Sequence, residues 1–279
     1  MHYRYNTEQA ITEQDGNMSQ PQLIIDNLKA CWASCKEFYD SLEGDQWQVQ
    51  SHCPDWTVHG VLVHQVSVEQ ALSGWLPTSV ETPPPFGDIA GYVSAATAMS
   101  GPELTAFAAE VWDGRAAQLE ALDDEVFDRG SITPVGPGTY GRFMAIREFD
   151  HWMHERDCRT PLEMPTDNGG PAAEMALNEV HLSIGYIAGK KVGLPDGASM
   201  HFDITGAVER DIYVQVEGRA REVDHVENPT VTLHCDSMAF MDLTCGRIDP
   251  EGPIAAGLVT WSGDAGLGAH AARNLRFTM

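Results

Sequence analysis

The sequence predicts a two-part α+β protein, a bundle of amphipathic helices followed by a smaller unit of strands and short helices. Two observations carry this. Up to about residue 160, apolar residues recur at three- and four-residue spacing through four long stretches. After Lys191 the pattern changes to alternation with a period of two, as in half-buried strands.

The first predicted helix covers 21–42, where Leu23, Leu28, Trp32, Cys35, Phe38 and Leu42 share a face. The second covers 57–74, with Asp55 or Thr57 able to cap it. Pro83, Pro84 and Pro85 then force a loop, because proline lacks the amide donor a helix needs. A third helix, 101–122, buries Leu104, Phe107, Ala108, Val111, Leu119 and Leu122, and the Gly/Pro-rich stretch 134–141 leads into a fourth, 141–158. A further helix over 171–190 is placed to bridge the two parts. Strands are expected at 201–205, 211–216 and 230–234, then a helix at 237–245, a strand at 258–262 and a closing helix at 264–275, together an antiparallel sheet with helices. The division is a polar extension 1–20 with Met18 a candidate natural start, a helical domain 21–190 and an α+β domain 191–279.

Composition narrows the function. With 41 acids against 17 bases, a formal charge of −24 argues against binding nucleic acid or an anionic membrane surface. No apolar run of spanning length and no signal-peptide pattern occurs, so a cytoplasmic protein is expected. The six cysteines form no C-x-x-C pair and read as free thiols; Cys158, four residues after His154, reads first as a buried inert cysteine and second as lining for a metal pocket.

The richest segment is 142–157, where carboxylates and imidazoles sit on a helical pattern. Asp150 and His154, four apart, share a face. His64 on the second helix shares its face with Val61, Val68 and Ala71, the side expected to turn inward. Taken alone, His64 fits a hydrogen-bonded core histidine, and Asp150 with His154 fits a solvated pair. Taken together the three form a two-His, one-carboxylate set, which leaves at least one metal position open, as catalytic centres do. Glu148 and His151 are rival ligands that point elsewhere on the helix. Zinc suits this donor set best.

The entry Cys53-Pro54-Asp55-Trp56-Thr57, the approach Pro137-Gly138-Thr139-Tyr140-Gly141-Arg142, the helix Phe149-Asp150-x-Trp152-x-His154-Glu155-x-Asp157 and the segment Cys245-Gly246-Arg247-Ile248-Asp249-Pro250 occur in this order. Together they resemble the maleylpyruvate isomerase family of mycothiol-dependent enzymes, from about residue 20 to the end. The resemblance implies a DinB-like four-helix bundle followed by a sterol-carrier-like α+β domain. It places the metal ligands on His64, Asp150 and His154, with Asp150 where the founding isomerases carry Glu. It gives Arg247, otherwise a surface or carbonyl-capping arginine, the catalytic role of meeting an acidic substrate through a bidentate guanidinium.

The activity implied is a metal- and thiol-dependent isomerase or S-transferase. A divalent cation ionises a low-molecular-weight thiol, mycothiol by resemblance, which attacks an electrophilic small molecule. Elimination gives cis-trans isomerisation; retention gives S-transfer. A metal-dependent hydrolase using water at the same centre, or a non-catalytic binder of an apolar ligand or lipid, are the alternatives.

Overall fold

The computed structural model describes residues 20–278. The expected polar extension and Met18 lie outside the described residues, apart from Gln20, which opens the first helix. The four long helices of the bundle are α1 (Gln20–Asp40), α2 (Val58–Leu72), α4 (Gly101–Glu120) and α6 (Tyr140–Arg159), with the short α3 (Ile89–Thr97) leading into α4. The starts of α2, α4 and α6 are fixed by side chains that take up otherwise orphaned amides. Thr57 Oγ1 accepts from Gly60 N–H at 3.2 Å, Thr139 accepts from Arg142 N–H at 3.0 Å, and Glu103 accepts from Ser100 N–H at 2.9 Å in a capping box. The bundle core is built from Leu28, Trp32, Phe38, Val58, Leu62, Leu104 and Phe143, with α1 against α4 and α6, and α2 against α4.

Three local features differ from expectation. Residues 86–97, expected as loop, fold as a 3₁₀ turn (Phe86–Asp88) followed by α3. The glycine-rich stretch before α6 is a hairpin, β1 (Gly130–Thr133) with β2 (Gly136–Thr139), turned at Gly136 with φ +110° and preceded by a single turn α5 (Asp124–Phe127). The expected helix 171–190 breaks after α7 (Gly170–His181) into a turn α8 (Ile184–Tyr186) and a π-helical turn (Ile187–Lys191). Gly185 and Gly189 explain the break: a Cβ on Gly185 would lie 3.3 Å from the Ala220 carbonyl oxygen, and one on Gly189 2.8 Å from Ala220 Cβ. Close approach to the neighbouring strand, rather than helical continuity, sets this segment.

The sheet comprises β3 (Ser199–Thr205), β4 (Arg210–Val216), β5 (Ala220–Val223), β6 (Val231–Asp236) and β7 (Val259–Gly263), in the order β5-β4-β3-β6-β7. It is mixed rather than antiparallel, since β3 and β6 pair in parallel, Phe202 opposite Leu233. After the β4–β5 hairpin on one edge, the connection 224–230 runs back along the sheet to the other side of β3, so β6 runs the same way as β3. β5 was missed because Arg221 and Glu222 interrupt its alternation.

Met200, Phe202, Ile204, Ile212, Val214 and Leu233 form the buried sheet face. Onto this core pack α7, α9 (Ser237–Thr244) and α11 (Ala265–Arg273); α10 (Glu251–Ala255) joins α9 to β7. The buried residues of α7, Ala173, Ala176, Leu177 and Val180, group with the sheet core while α7 also lies along α6 and α1, so it joins the two halves. No described helix is long and apolar enough to cross a membrane.

At Gly268 of α11 a Cβ would lie 2.3 Å from the Trp261 ring. Gly268→Ala is therefore expected to destabilise the protein by about 1–3 kcal/mol. The check is a lower urea midpoint at unchanged slope; an unchanged midpoint would show that Trp261 can move.

Candidate metal centre at the domain junction

The crossing of α2 and α6 brings three side chains from two helices to one point. His64 Nε2 lies 3.4 Å from Asp150 Oδ2, and His154 Nε2 lies 3.6 Å from Asp150 Oδ1. One donor atom from each of His64, Asp150 and His154 falls within 4.8 Å of the others. A tetrahedral zinc with bonds of about 2.0–2.1 Å holds its ligand atoms about 3.3–3.4 Å apart, so the observed separations fit such an ion with small side-chain adjustments. Trp56 stacks on His64 with ring centroids 4.6 Å apart and meets His154 edge-on at 5.8 Å, walling one side.

Asp150 is held from behind by a buried charge network. Arg147 Nη1 contacts Asp150 Oδ2 at 3.0 Å, and Arg147 Nε donates to Glu69 Oε1 at 2.8 Å. Glu69 also takes Arg115 Nε at 3.0 Å. Glu69 is 1% exposed, and although burial favours its neutral form, Arg147, His151 and Arg115 hold its carboxyl well below the usual range. Asp150 is likewise disfavoured as an anion by burial, yet Arg147, His154 and His64 hold it ionised.

His154 is gripped on its other nitrogen. Its Nδ1 lies 2.9 Å from Asp157 Oδ2, and the Cys53 thiol donates to the same oxygen at 3.1 Å. Arg247, arriving from the segment after α9, donates Nε–H to Asp157 Oδ1 at 2.8 Å. Without a cation, burial opposes the charged form of His154, but Asp150, Asp157 and Cys53 outweigh it and raise its pKa to about 10. His64 moves down instead, chiefly through burial. Asp242, on α9, is pushed up to about 7 by burial and by Asp157.

The structure thus brings His64, Asp150 and His154 together and sets Arg247 on Asp157 rather than directly on the three. The rival ligands turn away. His151 Nε2 accepts from the Trp32 indole N–H at 3.0 Å and faces Glu69, and Glu148 takes the Cys31 thiol at 3.6 Å. Cys158 is packed against the Tyr39 hydroxyl at 3.6 Å and does not line the centre; the cysteine that does is Cys53. Cys53, Asp157 and Arg147 were missed as site residues. The spacing offered a signal for two of them, since Asp157 is three residues after His154 and Arg147 three before Asp150 on one helix. Cys53 gave none, because its approach to His154 spans 101 residues of chain. Cys53, His154 and Asp157 themselves form a second cluster with potential ligand atoms within 4.8 Å. All six cysteines are free and buried.

The fold and the centre define a class, a helical bundle with a two-His, one-carboxylate site closed by an arginine from an α+β domain. Residues 28–159 match the family model of the mycothiol maleylpyruvate isomerase N-terminal domain. The helical part of this chain is similar to that family. Two solved structures share the fold over 88% of this chain and 94% of theirs. One is a histidine-to-alanine mutant of the mycothiol-dependent maleylpyruvate isomerase, with TM-score 0.58 and 12% identity. The other is the mycothiol-dependent maleylpyruvate isomerase itself, with TM-score 0.56 and 11% identity. No curated protein matches the sequence.

Removing the buried anion strands two arginines. Glu69→Gln is expected to cost about 3–5 kcal/mol of unfolding free energy, measured by urea denaturation; a loss under about 1 kcal/mol would show that Arg115 and Arg147 find other partners. The pH dependence follows from His154. Its pKa is raised from the usual 6.5 to about 10, so in metal-free protein its stabilisation is fully present below about 6.5 and is lost as pH rises through about 10. A cation on Nε2 must displace that proton. Zinc binding at pH 7.5 should release about one proton, read by calorimetry in buffers of different ionisation enthalpy, and no release would place zinc elsewhere.

Proposed function

We propose that this chain is a metal- and thiol-dependent isomerase or S-transferase acting on small acidic electrophiles, with zinc held by His64, Asp150 and His154 and mycothiol as the thiol. The observation that supports this best is the convergence of those three side chains at 3.4 and 3.6 Å in a helical domain of the matching family. Two imidazoles and one carboxylate suit zinc and leave a coordination position for a ligand from solution. A dication bound there supplies the charge that lets a thiol ionise at neutral pH.

The remaining roles fall to the chain's own groups. Trp56 covers one face of His64 and limits water there. Asp157 accepts the Nδ1 proton of His154, so Nε2 is the nitrogen turned to the ligand set. Arg247 uses Nε for Asp157 and Nη1 for the Cys245 carbonyl at 3.0 Å; Nη2 has no protein acceptor among the described residues and is available to a substrate carboxylate. Addition of the thiol to a cis-enoyl acid turns the double bond into a single bond about which the product rotates. Elimination then returns the trans isomer and the thiol, whereas a substrate with a leaving group keeps the sulfur.

The test is metal content by elemental mass spectrometry on protein purified without chelator or nickel affinity, with turnover assayed with and without added mycothiol. About one zinc per chain is expected, lost in His154→Ala, with turnover requiring the thiol. A zinc-bearing protein that turns over without any thiol would instead be a metal-dependent hydrolase, and a metal-free parent would contradict both readings.

A further inference from the structure

Asp157 is one of the places where the two halves of the molecule meet in hydrogen bonds. Its side chain is 1% exposed, and its two oxygens take three donors from three separate segments. His154 on the same helix and Cys53 in the loop before α2 both donate to Oδ2, and Arg247 of the C-terminal half donates to Oδ1. Its backbone carbonyl also accepts from His52 N–H at 2.9 Å, which ties the same loop down again. Arg247 is itself aimed by its own segment. Gly246 takes φ +67° directly after α9, Arg247 N–H donates to the Asp242 carbonyl at 2.7 Å, and Nη1 holds the Cys245 carbonyl.

We infer that Asp157 is a positioning residue for the metal centre, committing His154 to present Nε2, and that Arg247 makes this positioning depend on the seating of the C-terminal domain. The inference rests on the proposed metal reading and goes beyond it, because it assigns the domain junction a part in cation affinity. A histidine ligand whose second nitrogen hydrogen-bonds to a carboxylate has a fixed ring orientation and tautomer and is a better donor. Here that carboxylate has one oxygen on the histidine and the other on an arginine from a different domain. Displacing the C-terminal domain would withdraw Arg247, leave the buried Asp157 carboxylate under-compensated and loosen His154. A substrate carboxylate drawn to Arg247 would act on the same link.

The experiment measures zinc affinity by competition with a chromophoric chelator in the parent, Asp157→Asn, Arg247→Gln and the double variant, each checked for native circular dichroism. Asp157→Asn is expected to bind zinc about 10–100-fold more weakly. Arg247→Gln should weaken binding by a smaller factor, and the double variant should be no weaker than Asp157→Asn, because Arg247 acts through Asp157. Histidine ¹⁵N spectra should show His154 losing its fixed Nδ1–H tautomer in Asp157→Asn, a change that a merely structural ion pair would not produce. Parent-like affinity in folded Asp157→Asn, or effects of the two substitutions that simply add, would overturn the inference. If Asp157→Asn does not fold, Arg247→Gln carries the test, and unchanged affinity there overturns the coupling. A parent that binds no zinc would fail the metal reading itself, an outcome distinct from bound zinc that ignores Asp157.

Discussion

Everything at this centre depends on one constraint, the burial of a helix rich in charge. α6 is enclosed by α1, α2 and α7, and most of its residues are buried although its sequence carries arginines, acids and histidines at nearly every turn. A buried charge is costly unless it is paired or neutralised, so each such residue on α6 has to find a specific answer. Arg147 takes Glu69 and Asp150; Glu155 accepts Ser34 Oγ at 2.6 Å and Arg159 Nε at 2.7 Å; Arg156 donates to the Trp152 carbonyl and lies over the Trp152 ring. Glu148, with one oxygen unpartnered, is pushed well above the usual carboxylate range by burial, which favours its neutral form. Asp150, already on Arg147, and His154, already on Asp157, also face each other and His64, an arrangement of two imidazoles about a carboxylate that suits a cation.

The same constraint explains why the site lies at the junction. The chain has only 17 lysines and arginines against 41 acids. Arg115, Arg147 and Arg247 are nonetheless all placed at buried carboxylates around the centre. The first two lie within the bundle and are satisfied when α2, α4 and α6 pack. The third comes from the other half and reaches Asp157 only when α9 and the turn at Gly246 are in place. The centre is complete, in its hydrogen bonding, only when both halves are folded against α6.

Much of this was legible in the sequence because it is periodic. The four long helices declared themselves through apolar residues on a 3.6-residue repeat, and the Asp150/His154 pair through spacing on one helix. His64 could be placed on an inward face because Val61, Val68 and Ala71 share it and are buried. What escaped reading depends on contacts distant in the chain. The parallel pairing of β3 with β6 is decided by the connection 224–230, which runs back along the sheet after β5, and alternation within a strand is silent on its neighbour's direction. The break after His181 is set by Ala220, and the nearness of Cys53 to His154 by the docking of a loop onto the end of α6. Cys158, four residues after His154, is the buried cysteine it is expected to be rather than part of the pocket lining, and it turns toward Tyr39.

The central claim is that His64, Asp150 and His154 form one cation site, with Asp157 and Cys53 outside it. Anomalous scattering at the zinc edge from crystals of zinc-loaded protein tests this directly. The account predicts a single strong peak about 2.0–2.2 Å from His64 Nε2, an Asp150 oxygen and His154 Nε2, with Asp157 still on Nδ1. A peak among Cys53, His154 Nδ1 and Asp157, or none near α6, would contradict it.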